Sequence, residues 1–190
     1  MICMSTDLTS LISALKAIAP TQLAADWDNV GLLVEGTPNR KIETVFFCID
    51  LTHPVLDEAI GAKADVIVAY HPPIFGGLKR LTRRSPGQHL MIRIIEAGIS
   101  VWSPHTALDA AKDGLCDWLL DGAGEMKERE IIEACPAAVE NLEVGMGRTG
   151  RLKEPVTLPE MVKRIKAFLR LENLRLASAT RHAEGKAIKR

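Results

Sequence analysis

Leu8, Leu11, Ile12, Leu15 and Ile18 recur at intervals of three and four after Thr6-Asp7, and Pro20 ends the pattern. This spacing predicts an amphipathic opening helix that lays one face on a sheet. Past a loop containing Trp27-Asp28-Asn29-Val30-Gly31, the run Thr44 to Ile49 is apolar at both alternating positions, as in a strand covered on both faces, and it stops at Asp50. Thr52 or His53, with Pro54 beside it, opens a helix that leads through Ala59 and Ile60 to a second apolar run, Val66 to Ala69. A third cycle follows. Ser85-Pro86 opens a helix with Leu90, Met91, Ile94 and Ile95 inward, Gly98 closes it, and Ile99 to Trp102 form a short strand. The alternation predicts an α/β fold, a mostly parallel sheet with flanking helices.

Beyond Gly114 the pattern predicts a helix with Leu115, Trp118 and Leu119 on one side, then a polar, glutamate-rich stretch from Glu125 to Glu133. That stretch marks the expected domain boundary, giving an N-terminal α/β domain over 1–124 and a partial second α/β segment over 125–190. In the second segment, strand-like residues run from about Leu142 to Leu152. The capping box Thr157-x-x-Glu160 opens a helix, and Leu174 to Ala177 read as a strand.

Composition narrows the class. At 190 residues, 47% apolar and 25% charged, the chain is long enough for a real core and too apolar for a disordered segment. Lys plus Arg equal Asp plus Glu at 24 each, so no global field draws nucleic acid or an anionic membrane. Cys3, Cys48, Cys116 and Cys135 are widely spaced with no CxxC pair, which reads as free thiols in a reducing compartment. No window approaches the ~20 apolar residues of a membrane span and no leader pattern opens the chain, so a cytoplasmic protein is expected.

The chemistry collects at one edge. In a parallel sheet the carboxyl ends of the strands lie along a common rim, where polar residues just past them converge. Asp50 follows the first strand, His71 the second, and His105 with Asp109 the third. Imidazole nitrogen with carboxylate oxygen suits zinc, manganese or iron, often as a pair of ions. Pro72-Pro73 blocks a helix after His71 and would fix the imidazole at the strand tip. Each residue also has a plainer reading: Asp50 as a helix cap, Asp28 and Asn29 as turn formers, and His53 and His89 as caps or surface residues. Gly76-Gly77 followed by Lys79, Arg80, Arg83 and Arg84 could grip a phosphate, although a solvated basic loop explains it as well. Neither GxGxxG nor the Walker spacing occurs.

Three segments, Trp27-Asp28-Asn29-Val30-Gly31-Leu32, Tyr70-His71-Pro72-Pro73-Ile74-Phe75 and Ser103-Pro104-His105-Thr106-Ala107-Leu108-Asp109, together resemble the NIF-three-like family, whose members are also described as GTP cyclohydrolase I type 2 homologues. The resemblance runs from about Leu8 to the end of the chain. It implies a two-domain α/β protein with two divalent metal ions per subunit, assembled as a toroidal homohexamer. By position, His71 matches the second histidine of a His-His-Pro motif and Asp109 the aspartate of a His-Thr-x-x-Asp motif, so both are implied metal ligands. His105 is implied as a further ligand or a catalytic proton-transfer group, with Tyr70, Asp28, Asn29 and Asp50 lining the site. Tyr70 stands where many bacterial members have the other histidine, and a Tyr-His-Pro-Pro form resembles the eukaryotic branch. The family's remaining ligands come from a His-x-x-x-Glu motif. No such segment occurs in this sequence, since His182-Ala-Glu184 has the wrong spacing, and the expectation is a truncated chain carrying part of a dinuclear centre.

The resemblance implies a metal-dependent hydrolase acting on a nucleotide-like or phosphoester substrate, in which the ions lower the pKa of a bound water. The alternative is a non-catalytic metal-binding scaffold whose surface recruits protein partners, and a third reading is a purely structural α/β domain.

Overall fold

β-branched and aromatic runs four residues long, separated by capped helices, build the sheet of the first half. The computed structural model describes residues 6–135 and 144–190. The chain folds as two compact units, Met1–Leu108 and Asp109–Arg190, so the expected boundary at 124/125 falls inside the second. The first unit contains α1 (Leu8–Ile18), β1 (Gly31–Val34), β2 (Val45–Cys48), α2 (His53–Gly61), β3 (Val66–Ala69), α3 (Pro86–Glu96) and β4 (Ser100–Ser103). Its strands lie in the order β1-β4-β3-β2. β2, β3 and β4 are parallel, and β1 joins β4 antiparallel at the edge. The sheet is thus mixed with a parallel majority, and β1 is a strand that the apolar pattern did not announce.

Period-two alternation assigns the faces. Ile67 and Val101 point to a layer with Leu56 and Ala59 of α2 and Leu90, Met91 and Ile94 of α3. Val68 and Trp102 point to the opposite layer, where Ile12 and Leu15 of α1 pack. Helices therefore cover both faces, as a buried parallel sheet requires. β3 is buried along its whole length, whereas β2 is not covered on both sides: Phe47 is 69% and Ile49 64% exposed. The reason is position, since β2 lies at the end of the strand order, beside β3. Ile95 also turns outward, because it lies one residue past Ile94 and falls off the buried stripe of α3.

Local chemistry fixes the element ends. Asp7 caps α1 by accepting the Ser10 N–H at 2.8 Å, and Thr52, not His53, caps α2. Asp65, buried at the start of β3, accepts the N–H groups of Glu43 at 2.8 Å and Thr44 at 3.0 Å and pairs with Arg40 at 2.5 Å. One carboxylate thereby ties the approach to β2 to β3. Burial opposes its charge, but the two N–H donors and Arg40 outweigh that and hold its carboxyl below the usual range. Gly98 closes α3 with φ +66°, and a Cβ on Gly36 would run into the Gly98 carbonyl oxygen.

Helix α4 (His105–Ala110) begins in the first unit and runs two residues into the second, which continues with α5 (Leu115–Asp121), β5 (Met126–Ala134), β6 (Gly145–Leu152), α6 (Leu158–Leu169) and α7 (Thr180–Ala183). The glutamate-rich stretch forms β5, paired antiparallel with β6. Its charges are spent across the strands and on neighbours, Glu128 with Arg151, Arg129 with Asp121 and Glu130 with Arg190. Leu142, expected to begin β6, lies outside the described residues. Arg148, with only 4% of its side chain exposed, pairs with Asp117 at 2.9 Å and donates to the carbonyls of Ala111 (3.1 Å), Gly145 (2.6 Å) and Gly147 (3.0 Å). It locks α5 to β6.

Trp118 of α5 meets Phe168 of α6 at 4.9 Å, yet Trp118 and Leu119 stay nearly half exposed, so that side of α5 is only shallowly covered. Thr157 caps α6 as expected, while Glu160 turns to Arg164 instead of closing the box. Leu174 to Ala177 are not a strand: among the described residues no partner strand pairs with them, and Leu174 and Leu176 are exposed. Among the described residues no helix is long and apolar enough to cross a membrane.

Candidate metal centre

The rim of the parallel strands carries the expected residues of the first unit. The ladder continues past β3, with Tyr70 N–H donating to Cys48 O at 2.9 Å and His71 N–H to Ile49 O at 3.0 Å, so His71 is held at a strand tip. Ser103, fully buried at the end of β4, donates to Tyr70 O at 3.0 Å and joins the two tips. The rings of His71 and His105 then stand edge to face with centroids 5.5 Å apart, and Tyr70 lies 5.0 Å from the first and 5.8 Å from the second.

Each imidazole has its own carboxylate. His71 Nδ1 lies 2.7 Å from Asp50 Oδ1, and His105 Nδ1 lies 2.8 Å from Asp28 Oδ1. Asp50 therefore does not cap α2, where Thr52 serves, and turns to His71 instead. A carboxylate that accepts from Nδ1 fixes the tautomer with the lone pair on Nε2, which is how metal-binding histidines are oriented. The two pairs differ in setting. Asp50 and His71 are 69% and 48% exposed, so their attraction adds little to stability, whereas the Asp28 side chain is fully shielded and His105 is 17% exposed.

Asp28 is the organiser of this corner. Besides His105 it accepts from the hydroxyl of Thr106, from the Thr106 N–H at 3.2 Å and from the Asn29 N–H at 2.7 Å. Burial raises the cost of its charge, and the bonds from Thr106, His105 and Asn29 more than offset it, leaving the carboxyl below the usual range. Asp28 does shape its turn, and it also carries His105. His105 sits at φ +33°, a left-handed backbone that a non-glycine residue adopts at a cost, held there by the Asp28 and Thr106 contacts.

Asn29 reaches across to donate to Ile74 O at 2.6 Å, tying the Trp27 loop to the segment after His71. Trp27 and Phe75 stand beside the histidines, with centroids 6.1 and 6.4 Å from the His105 ring. Neither was singled out from sequence, because what marks them is their exposure on the folded surface. Asp109 lies in α4 one turn after His105, and among the described residues no group of three His, Cys, Asp or Glu side chains is arranged to hold an ion. Arg83 of the basic loop pairs with Glu96. The donor chemistry of the oriented histidines suits a divalent ion, and their number falls short of the three protein ligands of a catalytic site.

This is an α/β protein with a histidine–aspartate rim at the carboxyl end of its sheet. The family model described as Duf34/NIF3 (NGG1p interacting factor 3) matches residues 6–189, and the chain belongs to that family. NIF3-like protein 1 of Bos taurus is 46% identical over 125 residues, covering 66% of this chain and 33% of its own length. NGG1-interacting factor 3 of Saccharomyces cerevisiae is 36% identical over 184 residues, covering 90% of this chain and 64% of its own. The chain thus spans about a third of the mammalian relative and under two thirds of the yeast one.

Among solved structures, a NIF3-related protein of Bacillus cereus superposes with a TM-score of 0.74 at 20% identity, over 90% of this chain and 72% of that one. Reduced HcgD from Methanocaldococcus jannaschii gives 0.72 at 23% identity, over 86% and 60%. These likenesses concern the fold.

Proposed function

We propose that this chain presents part of a divalent-metal site, with Nε2 of His71 and His105 as donors and Asp109 as the carboxylate that follows His105 by one helical turn. The observation that supports it is the pair of Nδ1–carboxylate contacts, His71 with Asp50 and His105 with Asp28. Two imidazoles from different strand tips, each with Nδ1 held by a carboxylate, have the orientation that metal-binding histidines have. A bound ion of this kind supplies Lewis acidity and a hydroxide near neutral pH. This chain's own part is to hold His71 and His105 in one tautomer and to screen Asp28 from water.

The activity we propose is metal-assisted hydrolysis of a nucleotide-like or phosphoester substrate. The test is turnover of GTP and of an activated phosphodiester by the manganese- or zinc-loaded protein. Activity that falls at least a hundredfold in His71→Ala supports the reading, and inactivity of the metal-loaded protein on both substrates overturns it.

A second reading has its own observation, the name of the yeast relative, which is that of an interacting factor. On this reading the chain is a scaffold that recruits protein partners or copies of itself, as a homohexamer, and the metal serves the fold. A pull-down whose partners survive Asp109→Ala favours it.

A further inference from the structure

Trp27 is 63% exposed and Phe75 56% exposed, although both sit on backbone that is firmly held. The Trp27 loop is pinned on each side. Ala25 N–H donates to Thr106 Oγ1 at 3.0 Å, Asp28 N–H to Ala25 O at 2.9 Å, and the Asp28 carboxylate is buried among Thr106, His105 and Asn29. Asn29 then bonds Ile74 O, the residue before Phe75, at 2.6 Å, so one side-chain amide couples the two aromatic segments. Rigid backbone under exposed rings is the arrangement of a preorganised platform, because the ordering cost is met before any ligand arrives. A loose loop with stray aromatics would lack those anchors.

We propose that Trp27 and Phe75 form a stacking platform for a planar heteroaromatic ring, a purine or a similar base, whose edge faces His71 and His105. The ring centroids are 5.9 Å apart at an angle of 44°, in contact with each other. No third ring fits between them, since a sandwich needs about 7 Å, twice the usual ~3.5 Å contact separation of carbon atoms. The ligand therefore stacks on an outer face, with the second aromatic at its margin. His105 is T-shaped to both rings, and His71 is 5.5 Å further along the rim, so the edge of the stacked base faces the two imidazoles and any ion they hold. Stacking is tolerant of base identity, which makes Trp27 and Phe75 affinity residues and leaves discrimination to the histidine edge.

The inference rests on the proposed site at His71 and His105, and the experiment separates the two. Calorimetric titration of the purified protein with guanosine monophosphate is compared with ribose 5-phosphate, and the same samples are titrated with cobalt(II). Binding of guanosine monophosphate at least tenfold tighter than ribose 5-phosphate is expected. Trp27→Ala and Phe75→Ala should each weaken it about tenfold, within the range of single stacking partners, while Trp27→Phe keeps most of it and cobalt binding is unchanged. Equal binding of ribose 5-phosphate, indifference to Trp27→Ala, or cobalt binding without any nucleotide binding overturns the platform while sparing the metal reading. Nucleotide binding of the expected pattern without cobalt binding supports the platform and removes the metal. A Trp27→Ala protein that instead loses a co-purifying protein partner and shows no change with guanosine monophosphate assigns the exposed rings to a protein contact.

Discussion

Asp28→Asn changes one oxygen for an NH2 group in a side chain with no exposure to solvent, and the consequences follow from its partners. One position now accepts from His105 Nδ1 and Asn29 N–H, and the other from the hydroxyl and N–H of Thr106. In the variant only one oxygen remains. If it stays with His105 and Asn29, the new NH2 faces the Thr106 N–H, and two donors oppose each other in a dry corner. An unsatisfied buried donor costs about 1–3 kcal/mol, and a lost bond to a charged group ~1.5–3 kcal/mol.

We expect a loss of about 2–3 kcal/mol at pH 7, read as roughly 5–10 °C in the melting temperature of a chain of this size. The penalty has a pH signature. Asp28 is depressed in the folded state, so its stabilisation is fully present above the unfolded carboxyl value, near 3.9, and is lost as pH falls through the folded value. The gap between wild type and variant should therefore close below about pH 4. Circular-dichroism melts from pH 3 to 8 measure it. A variant that melts with wild type at pH 7, or a gap that is constant down to pH 3, would refute the role given to Asp28.

The remaining predictions use other parts of the fold. Asp65→Asn removes the charge opposite Arg40 from a buried position and should cost about 1–3 kcal/mol at neutral pH, again vanishing below about pH 4, by chemical denaturation. Gly36→Ala places a methyl against the Gly98 carbonyl and should lower the urea midpoint with an unchanged m-value, whereas Gly76→Ala, where a methyl meets open space, should leave it unmoved. Burial, with Asp50 adding to it, pushes the Cys48 thiol up, so peptide mass mapping should find Cys48 alkylated slowly by iodoacetamide at pH 8 and faster in Asp50→Asn. Arg148→Met leaves Asp117 without its buried partner and should destabilise the second unit by about 3–5 kcal/mol, seen as faster proteolysis within β5 and β6.

What the sequence disclosed depended on whether a residue's environment was local. β3 was legible because a central strand is apolar on every face, and α3 because its stripe repeats over three turns. β1 was not: Gly31–Val34 opens on the glycine that closes the Trp27 loop and reads as part of that loop. β5 was hidden for the opposite reason, since a two-stranded ribbon with charged pairs on its faces has no apolar stripe to display. Leu174 to Ala177 alternate like a strand, and among the described residues no neighbouring strand accepts them.

The same limit governs the site. Strand-tip placement brought His71 and His105 to one rim, because topology alone dictates it. Their carboxylates come from 21 and 77 residues away, and such pairing leaves no mark on spacing, which is why Asp50 read as a cap and Asp28 as a turn former. The exposure of Trp27 and Phe75 is a property of the folded surface, and no periodicity encodes it.

Cobalt(II) titration followed by visible absorption puts the central claim to its most direct test, because the intensity of the d–d bands rises when protein ligands lower the coordination number of the ion from that of the aquo ion. Saturable bands at one equivalent or more per chain are expected, lost in His71→Ala and in His105→Ala while both variants keep the wild-type circular-dichroism spectrum. Bands that are absent from the wild-type protein, or that persist undiminished in His71→Ala and His105→Ala, would contradict the assignment of these histidines as metal donors.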